Sequence, residues 1–260
     1  MPIRQQESNK GTFGKVINFA GSKNYIGAAY LSTLSILKIG AGYAALASEK
    51  NILNTVANLL PEAVFVDTKD GVQTLNNYTV CLIGCGLGQH KNSIKLFYNV
   101  IQNVKSPIVI DADGLNILSK TELQLPQNTI ITPHPMEASR LLGFSLGDIL
   151  DDPISTAKAL VSKYNCVVAL KTHRTVIAAK DNIFINQFGN SALAKAGSGD
   201  VLAGIISGLL AQKMSPFDAA KLGVYLHSRA GEIASEELTE YSVLASDIPN
   251  YLPKAIKEIL

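Results

Sequence analysis

The 260 residues carry 47% hydrophobic side chains, ample for one large core. A net charge of +2, with 17% charged residues, excludes the basic footprint of a nucleic-acid binder and a polybasic membrane patch. The longest apolar runs stop well short of a membrane-spanning length, and the polar start Met1-Pro-Ile-Arg-Gln-Gln-Glu7 lacks the apolar core of a signal peptide.

Residues 1–14 are polar and read as partly mobile. A buried strand follows over 15–20, then the loop Gly21-Ser-Lys-Asn-Tyr-Ile-Gly27, a helix over 28–39, and a turn and strand over 40–47. A helix over 51–60 stops at Pro61, and a short strand spans 62–66. A strand over 78–83 runs into Gly84-Cys-Gly-Leu-Gly88 and a helix over 90–104. Strands over 107–110 and 128–131 open onto Asp111-Ala-Asp-Gly-Leu-Asn116 and onto Thr132-Pro-His-Pro-Met-Glu137 with a helix behind it. A helix over 153–164 precedes a strand over 166–170 and the loop Lys171-Thr-His-Arg-Thr175. Residues 175–179 and 182–185 suggest an antiparallel hairpin turning at Lys180-Asp181. The remainder is helical, over 199–211, 216–237 with a bend near Gly223, and from about 245.

Strand–loop–helix–strand repeated in this way is the pattern of a parallel sheet with crossover helices. The expectation is one α/β domain over 1–260, a mainly parallel sheet with helices on both faces and an antiparallel edge. Ligands bind beyond the carboxyl ends of such strands. The loops at 21–27, 84–88, 111–116, 132–137 and 171–175 should therefore rim one crevice, closed by residues 197–200.

That closing stretch organises the chain. Gly197, Ser198 and Gly199 have almost no side chain, so backbone N–H groups can approach a ligand closely. The helix behind them directs unpaired N–H groups and the positive end of its dipole to the same place, which makes an anion hole. Asp200 stands at the junction. It reads either as a carboxylate complementing the helix dipole or as a base beside a phosphate site, as phosphoryl transfer to a hydroxyl requires. Gly204 and Gly208 lie on one face of the helix and read as a close packing contact.

No metal site shows in the spacing of the four histidines, and Cys81, Cys85 and Cys166 lack paired metal spacing. The cysteines read as reduced and mostly buried, in keeping with a cytoplasmic protein. His134 is the histidine placed for function, held between Pro133 and Pro135 at a strand end. Glu137 reads as a dipole partner of its helix. Asp111 and Asp113 could hold a hydrated Mg²⁺ near phosphates or serve turn chemistry, with Asp113 as an N-cap. Lys171 could reach a phosphate, with Thr172, Arg174 and Thr175 as donors, or belong to an ordinary turn. The chain has no P-loop, and the glycine spacing at 84–88 is wrong for a dinucleotide fingerprint.

Taken in order, Gly21-Ser-Lys-Asn-Tyr-Ile-Gly-Ala28, Ile83-Gly-Cys-Gly-Leu-Gly88, Asp111-Ala-Asp-Gly-Leu-Asn116, Thr132-Pro-His-Pro-Met-Glu137, Lys171-Thr-His-Arg-Thr175, Leu193-Ala-Lys-Ala-Gly-Ser-Gly-Asp200 and Val224-Tyr-Leu-His-Ser-Arg-Ala-Gly231 resemble the ADP-dependent (S)-NAD(P)H-hydrate dehydratases. The resemblance spans about residues 10–258. It implies a ribokinase-like three-layer sandwich and repair of hydrated NADH or NADPH, with ADP consumed as co-substrate and Mg²⁺ as cofactor. By matched position, Ala28, Gly86 and His134 would contact the hydrated nicotinamide substrate. Lys171, Thr172, His173, Arg174 and Thr175 would line the nucleotide, and Gly199 would touch its phosphate. Asp200 would bind substrate and act as base. The family usually has Thr where Ser198 stands, Gly where Thr172 stands, and often Pro at Cys85. The resemblance further implies a symmetric homo-oligomer such as a tetramer. A hydrate epimerase, fused in many relatives, would here be a separate protein. A vitamin-precursor kinase of the same fold is the alternative, and a non-catalytic nucleotide sensor a further one.

Overall fold

Alternating side chains give each central strand two apolar faces. In β1 (Lys15–Phe19), Val16 packs into one core while Ile17 and Phe19 pack into the other. The computed structural model describes residues 1–4 and 6–260. After β1 come α1 (Ile26–Lys38), β2 (Tyr43–Ser48), α2 (Lys50–Ala57), β3 (Val64–Asp67), α3 (Thr68–Thr74), β4 (Val80–Ile83) and α4 (Lys91–Asn103). Then follow β5 (Ile108–Ile110), α5 (Asp113–Leu118), β6 (Thr129–Ile131), α6 (Pro135–Leu142), α7 (Leu146–Asp151), α8 (Pro153–Tyr164) and β7 (Val167–Leu170). The hairpin β8 (Val176–Ala178) and β9 (Ile183–Ile185) precedes α9 (Ser198–Ala211), α10 (Pro216–Ser242) and α11 (Ile248–Lys257).

Among the described residues nine strands form one sheet in the order β3-β2-β1-β4-β5-β6-β7-β8-β9. Strands β1 to β7 are parallel, and β8 and β9 are the expected antiparallel edge. One core holds Ile36 of α1, Ile52 of α2, Ile205 of α9, Val224 of α10 and Leu252 of α11. The other holds Phe97 of α4, Leu115 of α5, Leu141 of α6, Ile149 of α7 and Leu160 of α8. Helices therefore cover both faces, giving the three-layer sandwich. Among the described residues no helix is long and apolar enough to cross a membrane.

The helical glycines are a packing device, as expected. A Cβ on Gly204 would lie 2.3 Å from the Ser32 carbonyl of α1, and one on Gly208 would lie 2.2 Å from Ile39. The close approach packs α9 directly against α1. Two readings need correction. Helix α10 passes Gly223 unbent, because that glycine instead admits Ile206 of α9; its one non-helical residue is Thr239, at φ 67°. The sequence reading also lacked α3 and α7. Both are held by caps, with Asp67 accepting from Lys69 N–H and Ser145 forming a reciprocal box with Asp148.

Candidate functional site

Parallel pairing continues past the strand ends and sets the loops side by side. The Gly84 N–H donates to the Phe19 carbonyl, the Asp111 N–H to Ile83, the Thr132 N–H to Ile110 and the Lys171 N–H to Pro133. Short strands thus deliver Cys85, Asp111, Thr132 and Lys171 to one carboxyl edge. Asp111 is 1% exposed; its Oδ1 accepts from Lys171 Nζ at 2.7 Å and from the Thr132 hydroxyl at 2.7 Å. One ligand atom from each of Cys85, Asp111 and Asp200 falls within 4.8 Å of the other two. A Cβ placed on Gly199 would be 3.4 Å from Lys171 Nζ. The ammonium thus lies in van der Waals range of the α9 N-terminus.

The charges in this group set one another. Burial, reinforced by the Asp111 carboxylate, pushes the Asp200 carboxyl from 3.8 up to about 7; the Cys85 thiol and the Lys171 ammonium oppose the rise. Burial alone would depress the Lys171 ammonium, but Asp111 and Glu137 hold it above its ordinary value. Burial, with Asp200 and Asp111, pushes the Cys85 thiol well up, so it stays a protonated donor. Burial and Asp111 raise Glu137 to about 7 against the pull of Lys171. A carboxyl poised near neutrality at a helix N-terminus lined with small residues can take a proton from a hydroxyl while an anion sits beside it.

A cleft of about 720 Å³ opens next to this group, lined by His134, Lys171, Thr172, His173, Thr175, Ser198 and Gly199 together with Phe188 to Ser191 and His227. A larger hollow, about 910 Å³, lies outside α10, but its Glu232, Glu236 and Glu240 would repel phosphates. The smaller cleft has the charge and the backbone donors that an anionic nucleotide needs.

A family model described as NAD(P)H-hydrate dehydratase matches residues 16–254. The chain belongs to the NAD(P)H-hydrate dehydratase family. It is 35% identical over 242 residues to the ADP-dependent (S)-NAD(P)H-hydrate dehydratase of Neisseria meningitidis, covering 90% of this chain and 81% of that one. The crystal structure of the ADP/ATP-dependent dehydratase of Bacillus subtilis co-crystallised with ATP and Mg²⁺ has a TM-score of 0.91 at 30% identity, covering 100% of this chain and 95% of that one. A ribokinase-like superfamily protein from Enterococcus faecalis has a TM-score of 0.90 at 29% identity, covering 98% and 91%. The chain spans about half the length of the bifunctional NAD(P)H-hydrate repair enzymes it matches, 53% of that from Thermofilum pendens at 34% identity.

Within this family fold, the residues singled out by sequence do not all share one cleft. His134, Lys171, Thr172, His173, Thr175, Ser198 and Gly199 share the 720 Å³ cleft. Ala28 and Gly86 instead abut each other, and a Cβ on Gly86 would stand 2.7 Å from that of Ala28. Arg174 turns away, its guanidinium bonding the Gln187 side chain at 2.9 Å. Gly197 is the left-handed N-cap of α9, at φ 93°. His134 also caps α6: its ring accepts from Met136 N–H, and its own N–H donates to Glu137. Burial and Lys171 lower its ring below the usual histidine range. Asp113 does not cap α5 as expected. Ala112 occupies that position at φ 47°, and Asp113 accepts from Gly88 N–H at 2.8 Å.

Sequence reasoning missed three participants. The Asp111–Lys171 pair joins residues 60 positions apart, and no local pattern announces it. Cys85 was set aside as core, yet its thiol meets two carboxylates of the site. His227 bonds the Ser198 hydroxyl at 3.1 Å, and burial pushes its ring down to about 4, so it is neutral. The Val224–Gly231 motif contained that histidine and was its only signal.

Proposed function

We propose that the protein dehydrates the S epimer of hydrated NADH or NADPH at the expense of ADP, giving AMP and phosphate. The observation that carries this reading is Asp200, a carboxyl raised to about 7 beside the Gly197–Gly199 anion hole. In the substrate a hydroxyl sits on the ring carbon next to nitrogen, and hydroxide is a poor leaving group. Asp200 takes the hydroxyl proton, and the oxygen attacks the β-phosphorus of ADP. The bond to the α-phosphate oxygen breaks and AMP departs. The Gly199 N–H and the Lys171 ammonium steady the charge on the moving phosphoryl group, the Ser198 N–H being given to the Lys195 carbonyl. The ring-nitrogen lone pair then expels phosphate, the adjacent carbon loses a proton, and the ring double bond returns.

Lys171 to Thr175 and Gly199 hold the nucleotide in this reading; Ala28, Gly86 and His134 hold the nicotinamide. Asp111 fits a hydrated Mg²⁺: one carboxylate oxygen is taken by Lys171 and Thr132, and among the described residues the other has only the Cys85 thiol at 3.9 Å. When bound, Mg²⁺ would offset phosphate charge. The homo-oligomer is part of the same proposal.

The test is absorbance at the reduced-nicotinamide band with NADH hydrate and Mg²⁺, with and without ADP. A rise that needs ADP, matched by AMP and phosphate, is the expected result. A stable phosphorylated product would make the protein a kinase, and nucleotide binding without turnover would make it a sensor.

A further inference from the structure

The carboxyl edge carries a second cavity, of about 480 Å³, that the mechanism above does not use. It lies where the order of the sheet reverses. β1 has β2 on one side and β4 on the other, so the chain leaves in opposite directions and a crevice opens between their loops. Gly21 follows β1, Glu49 follows β2, Leu87 follows β4, Lys69 lies on α3, and His90 and Lys95 lie at the start of α4; all six line the cavity.

Three charged groups there are uncommitted. Glu49 occupies the N-cap position of α2, yet its carboxylate makes no capping bond. Among the described residues neither it nor Lys69 nor Lys95 pairs with another side chain. One loop runs from the reaction site to the cavity: Cys85 lies against Asp111 and Asp200, and Leu87, two residues on, lines the cavity. Gly88, one residue further, is tied through its N–H to Asp113, which follows the buried Asp111 by two positions.

We propose that this cavity holds the adenylate half of the dinucleotide substrate, with Lys69 and Lys95 on its phosphates and Glu49 accepting from the adenosine ribose hydroxyls. The assignment rests on the dehydratase reading and follows from the size of the substrate. Two nucleotides must be bound at once. ADP fills the 720 Å³ cleft, so the half of the substrate remote from its nicotinamide needs a second place. An acidic residue just after the second strand, in the same cavity wall as a glycine just after the first, is suited to a ribose diol. The same carboxylate repels a 2′-phosphate, so the cavity favours the NADH hydrate over the NADPH hydrate.

The experiment compares the intact protein with Lys69→Ala/Lys95→Ala and Glu49→Gln. Substrates are NADH hydrate, NADPH hydrate and the hydrate of reduced nicotinamide mononucleotide, which lacks the adenylate half. For the double lysine variant, KM for NADH hydrate should rise about tenfold, as loss of charge-assisted phosphate contacts implies. Its KM for ADP and its turnover of the mononucleotide hydrate should stay put. Equilibrium binding of NADH, read by its fluorescence, should weaken in parallel. Glu49→Gln should narrow the NADH-to-NADPH hydrate ratio of kcat/KM about tenfold. Unchanged KM for NADH hydrate, or an equal loss on the mononucleotide hydrate, overturns the assignment while leaving the dehydratase reading intact. No ADP-dependent turnover by the intact protein overturns that reading and the assignment with it.

Discussion

Asp200→Asn separates what the buried carboxyl costs the fold from what it gives the reaction. In the folded protein this group loses its proton near pH 7 rather than 3.8. At about 1.4 kcal/mol per pH unit, the difference corresponds to about 4 kcal/mol once the group is fully ionised. The sign follows from proton binding. Between about pH 4 and 7 the folded chain holds a proton that the unfolded chain has released, so stability is greatest at the acidic end and falls as pH rises through 7. Asparagine does not titrate. The stability advantage of Asp200→Asn over the parent should therefore grow by about 2–3 kcal/mol from pH 5 to pH 8.5, allowing for residual structure in the unfolded chain. Glu137, raised to about 7 in the parent, remains in both proteins, and most of its contribution cancels in the comparison. Urea unfolding of both proteins at the two pH values measures this directly. Turnover should fall roughly 10²–10⁴-fold in the variant, the range for loss of a positioned base. Parallel pH–stability curves for the two proteins would refute the argument that Asp200 is an ionised group held at a cost.

Lys171→Met leaves Asp111 buried beside Asp200 with no cation; urea unfolding at pH 8 should show a loss of about 3–5 kcal/mol. Cys85→Ala removes a thiol that holds Asp200 down, so the acid limb of the kcat–pH profile, expected near 7, should move to higher pH; an unmoved limb would remove Cys85 from the site. Gly204→Ala places a methyl group 2.3 Å from the Ser32 carbonyl and should cost about 1–3 kcal/mol by thermal or urea unfolding, with no change in the KM for ADP.

Much of this protein could be read locally. Short apolar runs ending in polar or turn-forming residues marked the parallel strands, and the hairpin turned at Lys180-Asp181 as its flanking runs required. The small residues at 197–199 and the helix behind them predicted an anion hole from backbone geometry alone. Helices α3 and α7 escaped because seven- and six-residue segments rich in Gly, Asp and Thr carry little periodicity; capping bonds, rather than an apolar stripe, define them. The bend expected in α10 failed because a glycine in a helix marks either freedom or contact, and the approach of Ile206 decides for contact at Gly223.

By itself the sequence determined the layer architecture, and it nominated the carboxyl edge as the place of the site and Asp200 as the acid to test there. Those features depend on side-chain periodicity and on backbone groups that neighbouring residues leave unpaired. Only the tertiary structure decided that Asp111 and Lys171 form a buried pair, that burial and Asp111 bring Asp200 close to neutrality against the pull of Cys85 and Lys171, and that Glu49, Lys69 and Lys95 line one cavity at the reversal of the sheet. Such properties belong to distances between residues far apart in the chain. Electrostatic energies depend steeply on those distances and on burial, and neither exists until the strands have taken their order.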